Sequence, residues 1–341
     1  MDLIYMNGNM SDVGVLQDYE FDLAFGADEN SFECKIPSDM HCCEAGYFLY
    51  IEGTEYGGII DSLEVITETA EVIYYGRTWH GILQSKIIAP LQANEPSFPG
   101  ITFKTTDSGG NSMIDRYLII SGDLNTCLRF LLHRASLDSL FAAPAYMANI
   151  PITNFQFDRY INGYNGIIKL LSSVGKKLHI SYIDEKVLIE AVNRYDYASD
   201  GEFDSSLVQM QLKKRVNSVN HLVCLGSGEL ENRTVINLYA DTHGNISTVQ
   251  TQFGLEEYAD KYDFPNVESP EELMTQGIEH LKKLWEEDSL VIKLDDNSDF
   301  FGIGDTVGAK DSVTGISASA VIQKIIVQII NNQISISYEV G

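Results

Sequence analysis

The residues with the clearest potential for chemistry are His41, Cys42 and Cys43, which are consecutive in the sequence and could bind a metal ion. Structural zinc sites use four Cys or His ligands, usually supplied as two closely spaced pairs. The chain has no second Cys/His pair at such a spacing. We therefore predict that these three residues form a loop with ordinary thiols and that the chain has no metal site.

Two acidic segments resemble parts of other known sites. Asp295 to Asp299 matches the start of a calcium-binding loop, but the glycine and glutamate that such a loop needs are replaced by Phe300 and Thr306. Asp241 to Asn245 consists of turn-forming residues. Both segments are predicted to be solvated turns.

Gly302 to Gly308 superficially resembles a dinucleotide-binding loop. Its third glycine stands one place late, and no strand–helix–strand unit surrounds it. The motifs of zinc metalloproteases, α/β-hydrolases and P-loop proteins do not occur in the sequence. The sequence therefore predicts no catalytic residue, no cofactor site and no enzymatic activity.

A carbohydrate-active protein is the alternative, either a cell-wall hydrolase or a lectin. The chain has 49 carboxylates, and a catalytic pair is defined in space and not in sequence. Trp79 and Trp285 could stack on sugar rings, although tryptophans on patterned segments are more often core or interface anchors. This alternative predicts a cleft with paired acids and exposed aromatic side chains.

Charge is unevenly distributed along the 341 residues, which have a net charge of −26. Residues 1–100 carry −14, residues 101–220 carry +1 and residues 221–341 carry −13. This pattern favours a three-part organisation, in line with a length that predicts two to four domains. An acidic surface repels phosphates, so specific nucleic-acid binding is not expected.

The cellular location follows from several absences in the sequence. No apolar run is long enough for a membrane helix, and no signal peptide is recognisable. Five cysteines without a C-x-x-C pair do not suggest a disulfide framework. We expect synthesis and assembly in the cytoplasm without membrane insertion.

Helices are predicted where apolar residues recur three and four apart. Asp123 is a suitable N-cap for a helix over residues 124–132, and a second helix is expected over 164–174 with Gly175 as its stop. Ser269-Pro270-Glu271-Glu272 forms a capping box that opens a helix over about 270–287. The second of these helices precedes a hairpin over residues 178–192.

Most remaining segments read as strands. The chain is organised around a hairpin of His221–Leu225 and Thr234–Tyr239, and it ends in a long hairpin over 321–330 and 333–340. The predicted class is α+β, mainly β, with two small β-barrel-like domains. The first comprises residues 1–96 and 203–240, an α+β domain of residues 97–202 is inserted into it, and residues 241–341 form the second.

Four segments resemble the baseplate-hub or tail-tip proteins of long-tailed bacteriophages, a family that includes siphophage tail-associated proteins and myophage hub proteins. They occur in the expected order and span nearly the whole chain: Gly76-Arg77-Thr78-Trp79 with Ile87, Ile88 and Pro90; Gln156 to Tyr160 with Gly163 and Tyr164; Asn217 to Glu229 with Arg233; and Gly304 to Val307 before the closing hairpin.

The resemblance implies a structural role in a virion, as a homotrimeric hub at the tail tip of a phage, a prophage or a tail-like particle. Such a ring would join the tail-tube or distal tail protein to a tip or spike protein, and would line the DNA channel. The acidic balance would then keep DNA from adhering to the wall. Relatives with a peptidase or lysozyme module carry it as a C-terminal extension, for which no room is expected after residue 340.

Overall fold

The structure is a computed structural model that describes residues 2–27, 29–106, 109–197, 203–204, 209–213, 219–242, 244–265, 267, 269–285, 289–294, 301–310, 317–330 and 333–340. Its α-helices are α1 Trp79–Gln84, α2 Leu124–Arg134, α3 Gly163–Ser172 and α4 Pro270–Trp285. Short 3-10 turns occur at Ser38–Met40, Leu230–Asn232 and Gly254–Glu256. In the part of the chain so described, every helix is too short or too polar to span a lipid bilayer.

The strands are, in chain order, β1 Ile4–Met6, β2 Asp12–Val15, β3 Glu20–Gly26, β4 Ser31–Pro37, β5 Phe48–Tyr50, β6 Gly57–Ile66, β7 Glu71–Thr78, β8 Ile87–Ile88, β9 Thr102–Phe103, β10 Ile119–Asp123, β11 Phe141–Ala142, β12 Pro151–Gln156, β13 Ile161–Asn162, β14 Lys176–Ile183, β15 Lys186–Asn193, β16 Phe203–Asp204, β17 Gln209–Lys213, β18 His221–Leu225, β19 Val235–Ala240, β20 Ile246–Ser247, β21 Ala259–Asp263, β22 Ser289–Leu294, β23 Thr306–Lys310, β24 Ser317–Ile330 and β25 Gln333–Val340. The predicted class, α+β and mainly β, is confirmed.

One large sheet joins the two ends of the chain. Its strand order is β17-β22-β25-β24-β3-β4-β7-β6-β5-β1-β2, with β23 and β16 attached beside β24. β24 pairs antiparallel with β3, so that Val327 lies opposite Leu23. Among the strands described, this sheet remains open and does not close into a barrel.

The inner face of this sheet carries the apolar core. Side chains alternate along a strand, so one face receives Phe21, Leu23, Phe32 and Cys34, which are all nearly inaccessible to solvent. Ile325 continues this face on the C-terminal hairpin. The burial of these side chains is the main source of stability for the sheet.

The segment between α1 and β15 forms a mixed module on two three-stranded sheets, β12-β10-β9 and β11-β15-β14. Helices α2 and α3 lie against these sheets and share one core with α1. Trp79 joins this core to the large sheet, because its ring stacks near Phe48 and near Tyr182. The module is therefore packed firmly on the N-terminal strands.

Helix α1 also carries His80 into the junction between sheet and module. The imidazole is 3% exposed and stacks on Phe25 with ring centroids 4.5 Å apart, while the edge of Tyr164 meets it from α3. Its Nδ1 atom has no hydrogen-bond partner in the described part of the chain. Burial lowers the pKa of His80 to about 3, so the ring is neutral near pH 7.

A smaller sheet, β20-β19-β18-β21, packs against α4. Leu222, Cys224 and Leu238 face the helix residues Leu273 and Leu281 in a separate core. The helix begins at its predicted cap, since Ser269 Oγ accepts a hydrogen bond from Glu272 N at 3.3 Å.

Several predicted elements are confirmed. The β18–β19 hairpin pairs in register, α2 begins after its Asp123 cap, and α3 ends before Gly175, whose φ is +70°. The long C-terminal hairpin is also present, although its tip at residues 331–332 lies outside the described residues. The predicted helix over 270–287 is observed over Pro270–Trp285, and residues 286–287 lie outside the described part of the chain.

The predicted domain boundaries stay a prediction. The observed pairings nevertheless link segments that were assigned to different domains, because the hairpin of residues 317–340 adjoins Glu20–Gly26 in the large sheet. The hairpin of His221–Leu225 and Val235–Ala240 lies in the smaller sheet with β20 and β21.

Candidate interface: the open face of the large sheet

The outer face of the large sheet is a polar surface to which several strands contribute. Opposite Phe21 and Leu23, the alternation places Asp22 on the other side of β3. Asp22 lies across from Glu33 on β4 and from Gln328 on β24, and Glu33 lies across from Tyr75 on β7. These side chains are exposed or half-buried, so this face is open to solvent.

Acidic groups outnumber basic groups on this open face and its rim. Among the described side chains, the acidic ones are Glu20, Asp22, Glu29, Glu33, Asp61, Glu64 and Glu339, and the basic ones are Lys35, Arg77 and Lys324. The described part of the face therefore carries more carboxylates than cations, and each of these three cations is paired with a carboxylate.

Each of these three basic side chains forms at least one ion pair with a neighbouring carboxylate. Arg77 donates two hydrogen bonds of 2.7 Å to Asp61. Lys35 lies 3.0 Å from Glu33. The side chains of these two pairs are about 40% exposed, and each pair contributes only roughly 0–1 kcal/mol to stability. Their main effect is to fix the positions of the surface side chains.

The third pair joins the turn before β4 to the C-terminal hairpin. Lys324 Nζ lies 2.8 Å from Glu29 Oε2, and the hydrogen bond from Lys324 lowers the pKa of Glu29. The hydrogen bond to Glu33 likewise raises the pKa of Lys35. These shifts favour the charged forms of Glu29 and Lys35, and the excess carboxylates set the sign of the surface potential.

A shallow depression of about 460 Å³ lies in this face between β3, β4 and β7. Four carboxylates line it. Glu29, Glu33 and Asp61 form ion pairs with lysine or arginine side chains, and Asp22 accepts a 2.8 Å hydrogen bond from Gln328. A glycosidase acid needs a raised pKa, whereas the pKa of Glu29 is lowered. Glu29 therefore lacks the raised pKa that the acid of the carbohydrate-active alternative requires.

Trp79 does not offer a sugar platform at this face. Trp79 is fully buried in the core between Phe48 and Tyr182, which confirms the interpretation as a core anchor. Trp285 ends α4, and its side chain lies outside the described residues.

The His41-Cys42-Cys43 segment forms a loop after the first 3-10 turn. His41 Nδ1 lies 2.9 Å from the Tyr74 hydroxyl, and the Sγ atoms of Cys42 and Cys43 are 3.8 Å apart. Within the described residues, no three Cys, His, Asp or Glu side chains converge on a common point that could hold a metal. The absence of a metal from the whole chain stays a prediction.

The remaining sequence candidates behave as turns where they are described. Asp241 to Asn245 closes a turn in which Asp241 Oδ1 accepts a 2.9 Å bond from Asn245 N. The calcium-like segment Asp295 to Asp299 lies outside the described residues. In Gly302 to Gly308, the loop glycines surround the buried Asp305, which is bound by Lys177.

Sequence reasoning missed the open face because it requires knowledge of which strands are neighbours. The available signal was the alternation of acidic and apolar residues in Glu20–Gly26 and Ser31–Pro37. That alternation identifies an outward face in each strand, but it does not assign the partner strands.

Two solved structures share the fold over nearly the full chain. A tail protein from Neisseria meningitidis MC58 aligns with a TM-score of 0.52 and 13% identity, covering 99% of this chain and 95% of that one. The 43 kDa tail protein of prophage MuSo2 from Shewanella oneidensis aligns with a TM-score of 0.56 and 9% identity, covering 100% and 98%.

The predicted resemblance to phage tail proteins is therefore confirmed at the level of the fold. No protein-family profile matches the sequence. No curated protein matches it either.

Proposed function

We propose that the chain is a structural component of a phage or prophage tail, and that three copies form a hub ring at the tail tip. The ring would connect the tail-tube or distal tail protein to a tip or spike protein. Its open sheet face would line the channel through which DNA passes. The fold shared with two tail proteins supports the structural role.

The observation that carries the channel proposal is the charge of the open face. A wall that touches DNA without retaining it must lack unpaired cations, because phosphate contacts supply most non-specific affinity. Lys35, Arg77 and Lys324 are all engaged by carboxylates, and further acids remain around them. Such a surface would let a duplex slide past.

Oligomeric state is the first test. Light scattering over a range of protein concentrations is expected to give a mass near three chains of 38.0 kDa. Negative-stain class averages should show a ring with a central hole. A mass that stays at one chain at every concentration, or an oligomer without a hole, contradicts the ring.

The channel lining needs a test that separates inside from outside. We would combine Glu20→Lys, Asp22→Lys and Ser335→Lys to make the open face basic. If this face lines a closed channel, the variant ring should retain linear duplex DNA, which can thread through it. It should not retain closed circular DNA, which has no end to enter.

The control combines Glu229→Lys, Glu231→Lys and Glu256→Lys, which are exposed residues beside the smaller sheet. On an outer surface the added charge, which is +6 here and +5 in the open-face variant, should bind linear and circular DNA equally. Equal retention of both DNA forms by the open-face variant would exclude the proposed lining.

A further inference from the structure

Cys42 and Cys43 are adjacent cysteines whose sulfur atoms are already close. Their Sγ atoms lie 3.8 Å apart, with Cys42 exposed and Cys43 buried. We propose that this pair is a redox site, a vicinal dithiol that closes reversibly to a disulfide on reaction with a low-molecular-weight disulfide such as oxidised glutathione. The proposal stands independently of the role in a tail.

The Tyr74 hydroxyl contacts all three residues of the loop. The backbone N–H groups of Cys42 and Cys43 both donate to Tyr74 Oη at 3.3 Å, and His41 Nδ1 lies 2.9 Å from the same oxygen. A hydroxyl can accept two hydrogen bonds and donate one, so this oxygen satisfies all three groups if it donates to His41. Tyr74 is fully buried, which fixes the loop and keeps the two thiols together.

The reaction requires two exchange steps. The exposed Cys42 thiolate attacks the reagent disulfide, which forms a mixed disulfide and releases one reagent thiol. The Cys43 sulfur loses its proton and attacks Cys42 Sγ, which expels the second reagent thiol. Two protein thiols are oxidised to one disulfide, and one reagent disulfide is reduced to two thiols.

Burial sets the rate of the second step. Desolvation raises the pKa of the Cys43 thiol, so its reactive thiolate is scarce near neutral pH. Ring closure should therefore accelerate as the pH rises.

Ring geometry explains why the bond would be reversible. Consecutive Cα atoms across a trans peptide are about 3.8 Å apart. Most disulfides join Cα atoms about 4.4–6.8 Å apart. The eight-membered ring is therefore strained, and strained exposed disulfides are the readily reduced ones.

Peptide mapping provides the test. Trypsin cleaves after Lys35 and Arg77, so one peptide contains both Cys42 and Cys43 but not Cys34. After treatment with oxidised glutathione and alkylation, this peptide should be lighter by two hydrogen atoms and carry no alkyl group. The thiol count of the denatured chain should fall from five, since only Cys34, Cys127 and Cys224 remain, and dithiothreitol should restore it.

Three outcomes would overturn the proposal. They are a peptide that retains two alkylated cysteines, one that carries a lasting glutathione adduct on Cys42, and one that is cross-linked to the peptide of Cys34. Because the wild-type chain is mapped directly, the result does not depend on whether any variant folds.

Variants assign the roles of the two sulfurs. Cys43→Ser should stop at the mixed disulfide on Cys42, and Cys42→Ser should not react because Cys43 is buried. Cys224→Ser removes a buried thiol from the smaller sheet and should close as the wild type does. Phenylarsine oxide, which bridges two thiols with loss of water, should bind the wild type once and neither single variant of the pair.

Discussion

Lys177 and Asp305 are 128 residues apart in the sequence and form an ion pair that is almost completely buried. Asp305 also accepts hydrogen bonds from Tyr195 N at 2.9 Å and from Gly302 N at 2.8 Å. Lys177 belongs to β14 of the mixed module, whereas Asp305 immediately precedes β23. The pair therefore ties the module to the C-terminal strands.

Removing the charge of Asp305 should destabilise the fold strongly. Asp305→Asn leaves the Lys177 ammonium buried without a counter-charge, which costs about 3–5 kcal/mol. Urea denaturation measures the effect. Asp158→Asn breaks the pair with Lys169, whose two side chains are about 60% exposed, and should cost at most about 1 kcal/mol. Equal losses in the two variants would mean that Asp305 is not buried as described.

Stability should fall in acid because of His80. The pKa of His80 in the folded chain is about 3, below the ordinary value of 6.5. Between these two pH values the imidazole is protonated in the unfolded chain and neutral in the folded chain. The penalty is absent above pH 6.5 and grows as the pH falls, by about 1.4 kcal/mol per pH unit down to about pH 3. Glu55 Oε2 is 3.7 Å from Nε2 and offers only a loose contact to a charged ring.

The variant His80→Phe tests this pH dependence, because phenylalanine keeps the stacking on Phe25 and cannot be protonated. Unfolding free energies should be measured from pH 7 to pH 4. The free energy of unfolding of the variant should increase relative to that of the wild type as the pH falls. His133→Gln changes an exposed histidine and should leave the wild-type slope intact. A constant difference between wild type and His80→Phe would refute the explanation.

The two faces of β24 should respond differently to truncation. Ile325 is 2% exposed and lies opposite Phe25 in the core, so Ile325→Ala should cost about 2–5 kcal/mol. The next residue, Ile326, is half-buried on the open face, and Ile326→Ala should cost less than about 1 kcal/mol. Chemical denaturation of the two variants measures their losses of unfolding free energy. A larger loss for Ile326→Ala than for Ile325→Ala would contradict the assignment of the two faces.

Gly277 should resist replacement by alanine although it lies within a helix. A Cβ atom there would lie 2.5 Å from Cys224 Sγ and 2.8 Å from Leu238 Cδ1, where α4 crosses the smaller sheet. The helix propensity of alanine favours the change by about 1 kcal/mol, but overpacking costs about 1–3 kcal/mol. Thermal unfolding should therefore show a lower Tm for Gly277→Ala. The exposed Thr275→Ala in the same helix should be neutral or slightly stabilising, and a raised Tm for Gly277→Ala would disprove the close packing.

Features with local signals could be predicted from the sequence. Asp123 caps α2 as expected, because an N-cap depends only on the next three residues. The hairpin of β18 and β19 was predictable because a short apolar run, a polar turn and a second run adjoin in sequence. The C-terminal hairpin was found for the same reason.

Features that depend on distant partners were not predictable. The pairing of Asp22 with Gln328 joins residues separated by 306 positions, and the sequence of neither strand identifies the other as its partner. The open acidic face follows from that pairing, so it was missed as well. Asp305 was considered only as part of a glycine loop, since its buried partner Lys177 belongs to another segment of the chain.

The union of β3 with β24 has a consequence for biosynthesis. As the ribosome extends the polypeptide, β3 emerges long before β24, the strand that pairs with its free edge. Until then the nascent chain displays unpaired backbone groups beside Phe21 and Leu23, which is the kind of edge that invites aggregation. Completion of the large sheet consequently has to wait for the synthesis of β24, and a chain terminated before β24 could not finish it.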